Sequence, residues 1–310
     1  MTGPISLGRG SEFDAIRRML ARWGTRAVGI GDDAAILKPP RGEHVIVSVD
    51  SAVEGQHFKR DWLRAQEISY RAVAAALSDV AAMAARPLGF LVAMTVPASW
   101  RGQLDELADG IGEAATVCDT VIRGGNLSDG AELSITTTVL GASYAPVGRS
   151  GARSGDGVYV TGRLGAPGAA IRALEGGRLP GEFRERLAHP VPRIREALWL
   201  ADHGIDAAID ISDGLMADVG HLAAASRVAI DIDAARIPVF DGVDVETALA
   251  SGEEYELIVA APEPLDVDEF SARFGLSLTR IGVVTSEKSG TVTVRNASVA
   301  RVPGYDHFSG

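Results

Sequence analysis

The chain has 310 residues, of which 46% are hydrophobic and 23% charged, and its formal net charge at pH 7 is −11. This composition predicts a globular protein with one large or two ordinary domains and excludes disordered and collagen-like classes. The acidic balance argues against nucleic acid as a partner, and no apolar stretch reaches the roughly 18 residues of a membrane span. The first ten residues lack the pattern of a secretory signal. The single cysteine, Cys118, is typical of a reducing compartment, so we expect a cytoplasmic protein.

The first half of the chain predicts alternating helices and strands. Apolar residues at helical spacing predict a helix over 13–23, and a glycine-rich loop follows at 29–31. A β-branched apolar run predicts a strand over 45–49 that ends at Asp50. The further elements predicted here are a helix at 67–85, a strand at 88–96, a helix near 100–116, a strand at 120–123 that is followed by Gly124, Gly125 and Asn126, and a strand at 132–140.

Turn-forming residues at 146–156 predict a boundary, so we expect two domains, 1–147 and 148–310. The second half then predicts a strand at 158–161, helices at 185–203 and 215–226, and strands near 228–232, 255–260, 279–284 and 291–296. Alternating elements of this kind favour an α/β or α+β architecture in two lobes.

Six aspartates lie in segments that otherwise have the composition of buried core: Asp32, Asp33, Asp50, Asp79, Asp210 and Asp213. A carboxylate inside a protein needs a partner that compensates its charge. Lys and Arg are almost absent from these segments, which indicates that the partner is not a side chain. Oxygen ligands of this type favour bound magnesium ions.

Each of these residues taken alone also has a structural interpretation. The Asp32-Asp33 pair is typical of a surface turn, and Asp213 could cap the helix that starts near 215. Asp79 is harder to explain in this way, because its helix neighbours three and four residues away carry no charge. His57 follows Asp50 closely enough to face the same cleft, but a lone histidine is also a common packing residue. The remaining histidines that we considered have no metal-ligand spacing, namely His44, His189, His203 and His221.

Six segments in this order, however, resemble the thiamine-monophosphate kinases, a family of the AIR-synthetase-like (PurM-like) superfamily. The segments lie at 31–35, 53–58, 77–83, 209–215, 252–257 and 304–308. The resemblance implies a two-lobed PurM-like fold in which the N-terminal sheets of a homodimer form a barrel. It also implies phosphorylation of thiamine monophosphate to thiamine diphosphate, with ATP as co-substrate and several Mg²⁺ ions as cofactors.

The resemblance assigns roles by motif position and implies direct, metal-assisted transfer with no catalytic side chain. The implied metal ligands are Asp33, Ser48, Val49 (through its carbonyl), Asp50, Asp79, Asn126, Asp210 and Asp213. The implied ATP contacts are Gly125, Asn126, Arg149 and Ser212, and the implied thiamine-phosphate contacts are His57, Glu253 and Tyr305.

Three residues depart from the family pattern: Val49 replaces Thr, Asn126 replaces Asp and Glu254 replaces Asp. An amide oxygen can still bind Mg²⁺ but lacks the charge, so Asn126 predicts weaker binding of one ion. Two alternatives therefore stay open. One is another ATP-using member of the superfamily, although the cysteines expected near the N- or C-terminus of two such enzymes are missing. The other is a non-catalytic protein that binds nucleotides or thiamine phosphates and regulates or stores them, which Asn126 alone supports.

Overall fold

The computed structural model describes residues 11–28, 30, 37, 40–286 and 290–297. Two compact units make up this part of the chain. Unit 1 comprises the described residues up to Val80 together with Arg86–Tyr144, and unit 2 comprises Ala81–Ala85 together with the described residues from Ala145 onward. Within these ranges we find no helix with the length and hydropathy that a bilayer crossing requires.

Unit 1 is built on a four-stranded sheet. Its strands are β1 (His44–Val53), β2 (Arg86–Thr95), β3 (Ile122–Ser128) and β4 (Ser134–Ser143). They lie in the order β1-β4-β2-β3, and all neighbours are antiparallel except the parallel pair β2 and β3. The helices that begin in the described residues of this unit are α1 (Ser11–Trp23), α2 (Ala65–Ala82) and α3 (Leu104–Val117).

The sheet of unit 1 has one buried and one exposed face. Ile135 and Val139 of β4 are fully buried, and so is Phe90 of β2. On β1 the alternate residues face the other way: Val45, Val47 and Val49 are 47%, 61% and 61% exposed. Because β1 is an edge strand, these valines form an apolar row at the border of the sheet. We refer to Val45, Val47 and Val49 as the edge valines.

Helix α2 begins two residues before the predicted start. At its first turn the Glu67 carboxylate accepts hydrogen bonds from the Arg64 backbone N–H at 2.8 Å and from the Arg64 guanidinium. A glutamate at the third helical position that reaches back in this way satisfies an N–H that the helix leaves unpaired. The alanine-rich sequence then continues as a helix past Asp79.

Unit 2 is built on a six-stranded sheet of order β10-β7-β9-β5-β8-β6, antiparallel except for the pair β10 and β7. The strands are β5 (Gly157–Thr161), β6 (Ala207–Asp210), β7 (Ala229–Asp233), β8 (Leu257–Ala261), β9 (Leu278–Thr285) and β10 (Val292–Arg295). The helices of its described part are α4 (Ala166–Glu175), α5 (Arg184–Ala188), α6 (Ile194–Asp202), α7 (Leu215–Ser226), α8 (Val245–Ala250) and α9 (Val267–Phe274).

The core of unit 2 fixes the position of α7. Leu215, Val219 and Leu222 follow one another at helical spacing, and all three are fully buried in a cluster that includes Ile209 and Ile258 of the sheet. Each such side chain contributes roughly 1.5–3 kcal/mol on burial. The apolar stripe therefore holds the first turn of α7 against the end of β6, where the predicted site residues lie.

Two predicted boundaries in unit 1 are wrong. The predicted strand end at Asp50 is passed, because β1 stays paired with β4 as far as Val53 opposite Ser134. The predicted strand end at 123 is also passed, because β3 continues to Ser128 and Gly124 and its two successors pair with β2. In both cases the pairing with a distant strand determined where the strand ends.

In unit 2 the predicted helix over 185–203 is two helices, α5 and α6. Pro190 and Pro192 lie between them, and a proline lacks the N–H that a continuous helix needs. Helices α4, α8 and α9 were not predicted. The predicted helix over 215–226 is confirmed with its boundaries.

Candidate functional site

Ser48 and Asp79 meet in unit 1. Ser48 Oγ lies 2.5 Å from Asp79 Oδ2 and donates a hydrogen bond to it. Asp50 is two residues further along β1 and therefore projects to the same face of the sheet as Ser48. Its Oδ1 accepts the Ser51 N–H at 2.7 Å, and the residue is exposed. The structure thus brings together Ser48 of β1 and Asp79 of α2, which the sequence predicts from separate segments.

The donor atoms of this group fit a hard cation. Carboxylate and hydroxyl oxygens are the ligands that Mg²⁺ and Ca²⁺ take in proteins. Val49 differs, because its side chain lies on the exposed face with the other edge valines. Only its backbone carbonyl could serve as a ligand.

Gly125 and Asn126 lie on β3, at the opposite edge of the same sheet from β1. A Cβ on Gly125 would be 1.9 Å from the Val92 carbonyl oxygen, so only glycine fits there. Asn126 pairs with Ala93 of β2, and Ala93 pairs with Thr136 of β4. Thr136 in turn pairs with Ser51 of β1. Since strands are about 4.8 Å apart, Asn126 lies roughly 14 Å from β1 across the sheet. Within this sheet Asn126 is therefore remote from the Ser48–Asp79 pair.

In unit 2 the turn 211–214 joins β6 to α7 and carries the predicted residues Ser212 and Asp213 directly after Asp210. Asp210 ends β6 and is 4% exposed, whereas Asp213 is half-buried. The turn passes through Gly214 at φ 117°, a conformation that favours glycine.

The structural alternative for Asp213, a cap on α7, is not what the structure shows, because the helix has no side-chain cap. Asp218, one turn into the helix, instead holds the turn that precedes it: its Oδ2 accepts the backbone N–H groups of Ser212, Asp213 and Gly214, each at 3.1 Å. Asp218 is 1% exposed. Sequence reasoning did not identify Asp218, although its position five residues after Asp213 at the start of a helix is a usable signal.

Negative charge accumulates around this turn. Burial, followed by the charges of Asp210 and Asp213, raises the pKa of Asp218 to about 7. One ligand atom each of Asp213, Asp218 and His221 lies within 4.8 Å of the others. The prediction that His221 has no metal-ligand spacing therefore needs correction, because the helix brings it beside two carboxylates. A divalent cation would relieve the repulsion between these aspartates, so their chemistry fits Mg²⁺.

Glu256 in the same unit shows the alternative way of burying a carboxylate. It is 1% exposed and accepts hydrogen bonds from Arg186 at 2.9 Å and from Arg193 at 2.8 Å, as well as from Thr161. Two guanidinium groups thus compensate its charge. Asp218 has no basic side chain as an ion-pair partner in the described part of the chain, so the two carboxylates are not equivalent.

The loop 252–255 is hydrogen-bonded to the turn 211–214. The Glu253 N–H donates to the Ser212 carbonyl at 2.9 Å, and the Tyr255 N–H donates to the Ile211 carbonyl at 2.9 Å. Glu253 and Tyr255 have φ values of 61° and 52°, which are strained for residues other than glycine. Tyr255 Oη donates to Glu253 Oε2 at 2.7 Å and so fixes the predicted substrate contact.

Glu254, which replaces the Asp of the family pattern, is fully buried behind this loop. Its Oε1 accepts the Gly165 N–H at 2.5 Å at the start of α4. Burial raises the pKa of Glu254 to about 8, so the carboxyl is mainly protonated at neutral pH.

His57 lies in unit 1 at the end of β1. Its Nδ1 accepts the Val53 N–H at 3.1 Å, so the neutral ring carries its proton on Nε2. Glu54 holds the same segment, since its Oε2 accepts from Trp100 Nε1 at 2.9 Å and from the Leu133 N–H at 3.3 Å. The loop therefore presents His57 as a hydrogen-bond donor.

Of the remaining predicted site residues, the structure describes only Arg149. Arg149 is exposed in unit 2, and its carbonyl accepts from Ser226 Oγ at 2.7 Å. Asp33 and Tyr305, together with Asp32 and the two glycines of the loop at 29–31, lie outside the described residues.

Two protein-family models match this chain and show the class of protein to which it belongs. The family model of the AIR synthase related protein N-terminal domain matches residues 31–143, and that of the C-terminal domain matches residues 153–295. The chain is thus an AIR synthase related protein with a mixed α/β, PurM-like fold of two domains and two sheets.

Curated relatives narrow this class. Thiamine-monophosphate kinase of Escherichia coli K12 is 33% identical over 306 residues, which cover 91% of this chain and 92% of the relative. The crystal structure of thiamine-monophosphate kinase from Stenotrophomonas maltophilia K279a is 33% identical with a TM-score of 0.84 and covers 93% of this chain and 98% of its own. A structure described as AaThiL complexed with AMPPCP and TMP is 27% identical with a TM-score of 0.77 and covers 99% and 100%. The chain belongs to the thiamine-monophosphate kinase family.

Proposed function

We propose that this protein transfers the γ-phosphoryl group of ATP to thiamine monophosphate and forms thiamine diphosphate. The observation that carries the proposal is the 33% identity to the Escherichia coli kinase over nearly the whole of both chains. The structural relative with AMPPCP and TMP supports it, because these ligands are an ATP analogue and the proposed acceptor.

The chemistry needs no general base. The second pKa of a phosphate monoester is about 6, so the acceptor phosphate is already anionic near neutral pH. One of its oxygens attacks the γ-phosphorus, a new P–O bond forms, and the bond to the β-phosphate oxygen breaks to release ADP. Bound Mg²⁺ would supply the positive charge that offsets repulsion between the two polyanions. A phosphorylated side chain trapped during turnover would contradict direct transfer.

The residues present suit these roles. In unit 1 we assign Ser48, Val49, Asp50 and Asp79 to metal binding, and in unit 2 Asp210 and Asp213. We also assign Asp33 and Asn126 to metal, Gly125, Asn126, Arg149 and Ser212 to ATP, and His57, Glu253 and Tyr305 to the thiamine phosphate. The functional domains are proposed to divide at 147 and 148, in the turn-rich segment that follows β4. The cytoplasm, where ATP is available, is the proposed location.

A turnover assay with ATP, Mg²⁺ and thiamine monophosphate tests the function. We expect stoichiometric formation of ADP and thiamine diphosphate. If both ligands bind but no product forms, the protein is a regulator or a storage protein instead. If ATP is consumed only with another acceptor, it is a different enzyme of the superfamily.

Asn126→Asp is expected to lower the Mg²⁺ concentration for half-maximal activity, by roughly tenfold. The added carboxylate restores a charge that attracts the cation, and residue 126 is exposed, so the fold tolerates it. The measurement is a Mg²⁺ titration of initial rate at saturating ATP. An unchanged titration curve would show that residue 126 contributes no ligand.

We further propose a homodimer in which the N-terminal sheets of two copies join through β1. The support is the row of edge valines on an edge strand, since such a strand has unpaired backbone groups and its apolar row would otherwise face water.

Val47→Glu is expected to convert this dimer into a monomer, because it places a charge in the centre of the apolar row. Light scattering coupled to size-exclusion chromatography measures the mass. Leu179→Glu is the control, since Leu179 is 92% exposed in unit 2 and its replacement should leave the mass unchanged. A wild-type protein that elutes as a monomer at all concentrations would contradict the proposal.

A further inference from the structure

The carboxylate of Asp218 lies directly beneath the turn that carries Ser212 and Asp213. One oxygen, Oδ2, accepts three successive backbone N–H groups, those of Ser212, Asp213 and Gly214. Gly214 is the N-cap residue of α7, so no side chain at that position caps the helix. The turn is therefore held from inside the helix, by a residue one turn along.

Burial of the Asp218 carboxylate costs free energy that other groups have to offset. Asp218 is 1% exposed, and a buried carboxylate loses its hydration. In the residues that the structure describes, no guanidinium or ammonium group forms an ion pair with it, in contrast to Glu256 with Arg186 and Arg193. The compensation comes from the three N–H groups and from the positive end of α7.

We propose that Asp218 is the positioning residue that fixes Ser212 and Asp213 in the orientation needed to bind Mg²⁺ and ATP. The proposal rests on the kinase function proposed above. It goes beyond that function because it concerns a residue to which we assign no contact with substrate. Its carboxylate acts on the backbone of the turn, and the turn presents the two side chains.

Backbone hydrogen bonds also restrain the start of the turn, because the Ile211 carbonyl accepts the Glu254 and Tyr255 N–H groups. The Ser212 carbonyl accepts the Glu253 N–H, which ties the turn to the loop 252–255. Gly214 cannot be replaced to stiffen the turn, because a Cβ there would approach the Ala250 carbonyl oxygen to 3.0 Å at a φ of 117°. Loss of Asp218 would leave three N–H groups without their acceptor, of which that of Gly214 is buried, and would free Ser212 and Asp213 to reorient.

Asp218→Ala is the test, and binding of AMPPCP in the presence of Mg²⁺ is the readout that needs no turnover. We expect the dissociation constant measured by calorimetry to rise roughly tenfold or more, and the Mg²⁺ concentration for half-maximal activity to rise with it. Asp218→Asn keeps one oxygen that can accept the N–H groups, so it should recover part of the affinity.

Asp266→Ala is the matched control. Asp266 also caps a helix in unit 2, since its Oδ1 accepts the Glu269 N–H at 2.9 Å at the start of α9. This variant should also lose thermal stability, while its AMPPCP affinity stays at the wild-type value. Should Asp218→Ala fail to fold, Asp218→Glu carries the same test, because it keeps the charge but displaces the acceptor by one methylene.

The outcomes separate this proposal from the proposed function. Wild-type affinity for Mg²⁺ and AMPPCP in folded Asp218 variants overturns the positioning role, whatever the activity. If the Asp218 variants bind AMPPCP more weakly, the positioning role is supported. If the wild-type protein in the same experiments forms no thiamine diphosphate, the kinase function is overturned. A wild-type protein that does not bind AMPPCP with Mg²⁺ overturns both.

Discussion

Replacing Asp79 with Asn is expected to lower kcat/KM for thiamine monophosphate phosphorylation by roughly 100-fold or more. The amide keeps the size of the side chain and can still accept the hydrogen bond of Ser48 Oγ, which lies 2.5 Å from the carboxylate. What it loses is the negative charge that a Mg²⁺ ligand supplies. Initial rates over a range of Mg²⁺ concentrations measure the effect, and part of the loss should be recovered at high Mg²⁺.

The control for this prediction is Asp129→Asn. Asp129 is an exposed aspartate of unit 1 that pairs with Arg101 and has no proposed role in the site. Its replacement should leave kcat/KM unchanged at every Mg²⁺ concentration. If Asp79→Asn retains wild-type activity and the same Mg²⁺ dependence, the assignment of Asp79 as a metal ligand is wrong and its bond to Ser48 is structural.

Much of the fold is local enough to be predicted from the sequence. Helix α7 combines an apolar stripe of Leu215, Val219 and Leu222 with a preceding glycine, and its predicted boundaries are those of the structure. Other boundaries depend on distant partners. Strand β1 continues past Asp50 because β4, far along the chain, pairs with it, and no local pattern reports that pairing.

In the candidate site, too, residues with a local signal were identified and residues that depend on distant contacts were not. Asp79 was identified because its helical neighbours carry no charge, and the structure adds Ser48 as its partner across the unit. Asp218 was not identified, because its role depends on a side chain that reaches back to three backbone groups. A residue that acts on the backbone of a motif has no motif of its own, so local sequence patterns do not reveal it.

Three buried carboxylates of unit 2 show three different ways of burying an acidic group. Glu256 is neutralised by arginines, Asp218 is compensated by backbone N–H groups, and Glu254 is kept protonated by burial. Glu254 stands where the family pattern has Asp. In the structure its length lets it reach the Gly165 N–H, so it links the loop 252–255 to the start of α4.

This protonated state predicts how stability depends on pH. The pKa of Glu254 is raised from 4.5 to about 8 in the folded protein, so the folded state binds a proton more tightly than the unfolded state. Its contribution is fully present below pH 4.5 and is lost as pH rises through 8. As pH rises within this window, the free energy of unfolding of the wild type should therefore fall relative to that of Glu254→Gln, by up to about 1.4 kcal/mol per pH unit.

Urea unfolding of both proteins at pH 5, 6.5 and 8 measures this difference, because glutamine has the same shape, can accept the Gly165 N–H and does not titrate in this range. Glu263→Gln, at an exposed position of the same unit, is the control whose difference from wild type should not change with pH. Urea midpoints of the wild type and Glu254→Gln that change in parallel between pH 5 and 8 would mean that Glu254 is ionised in the folded protein. The bond to Gly165 would then be charge-assisted, and the loop 252–255 would be held by an anion rather than by a neutral acid.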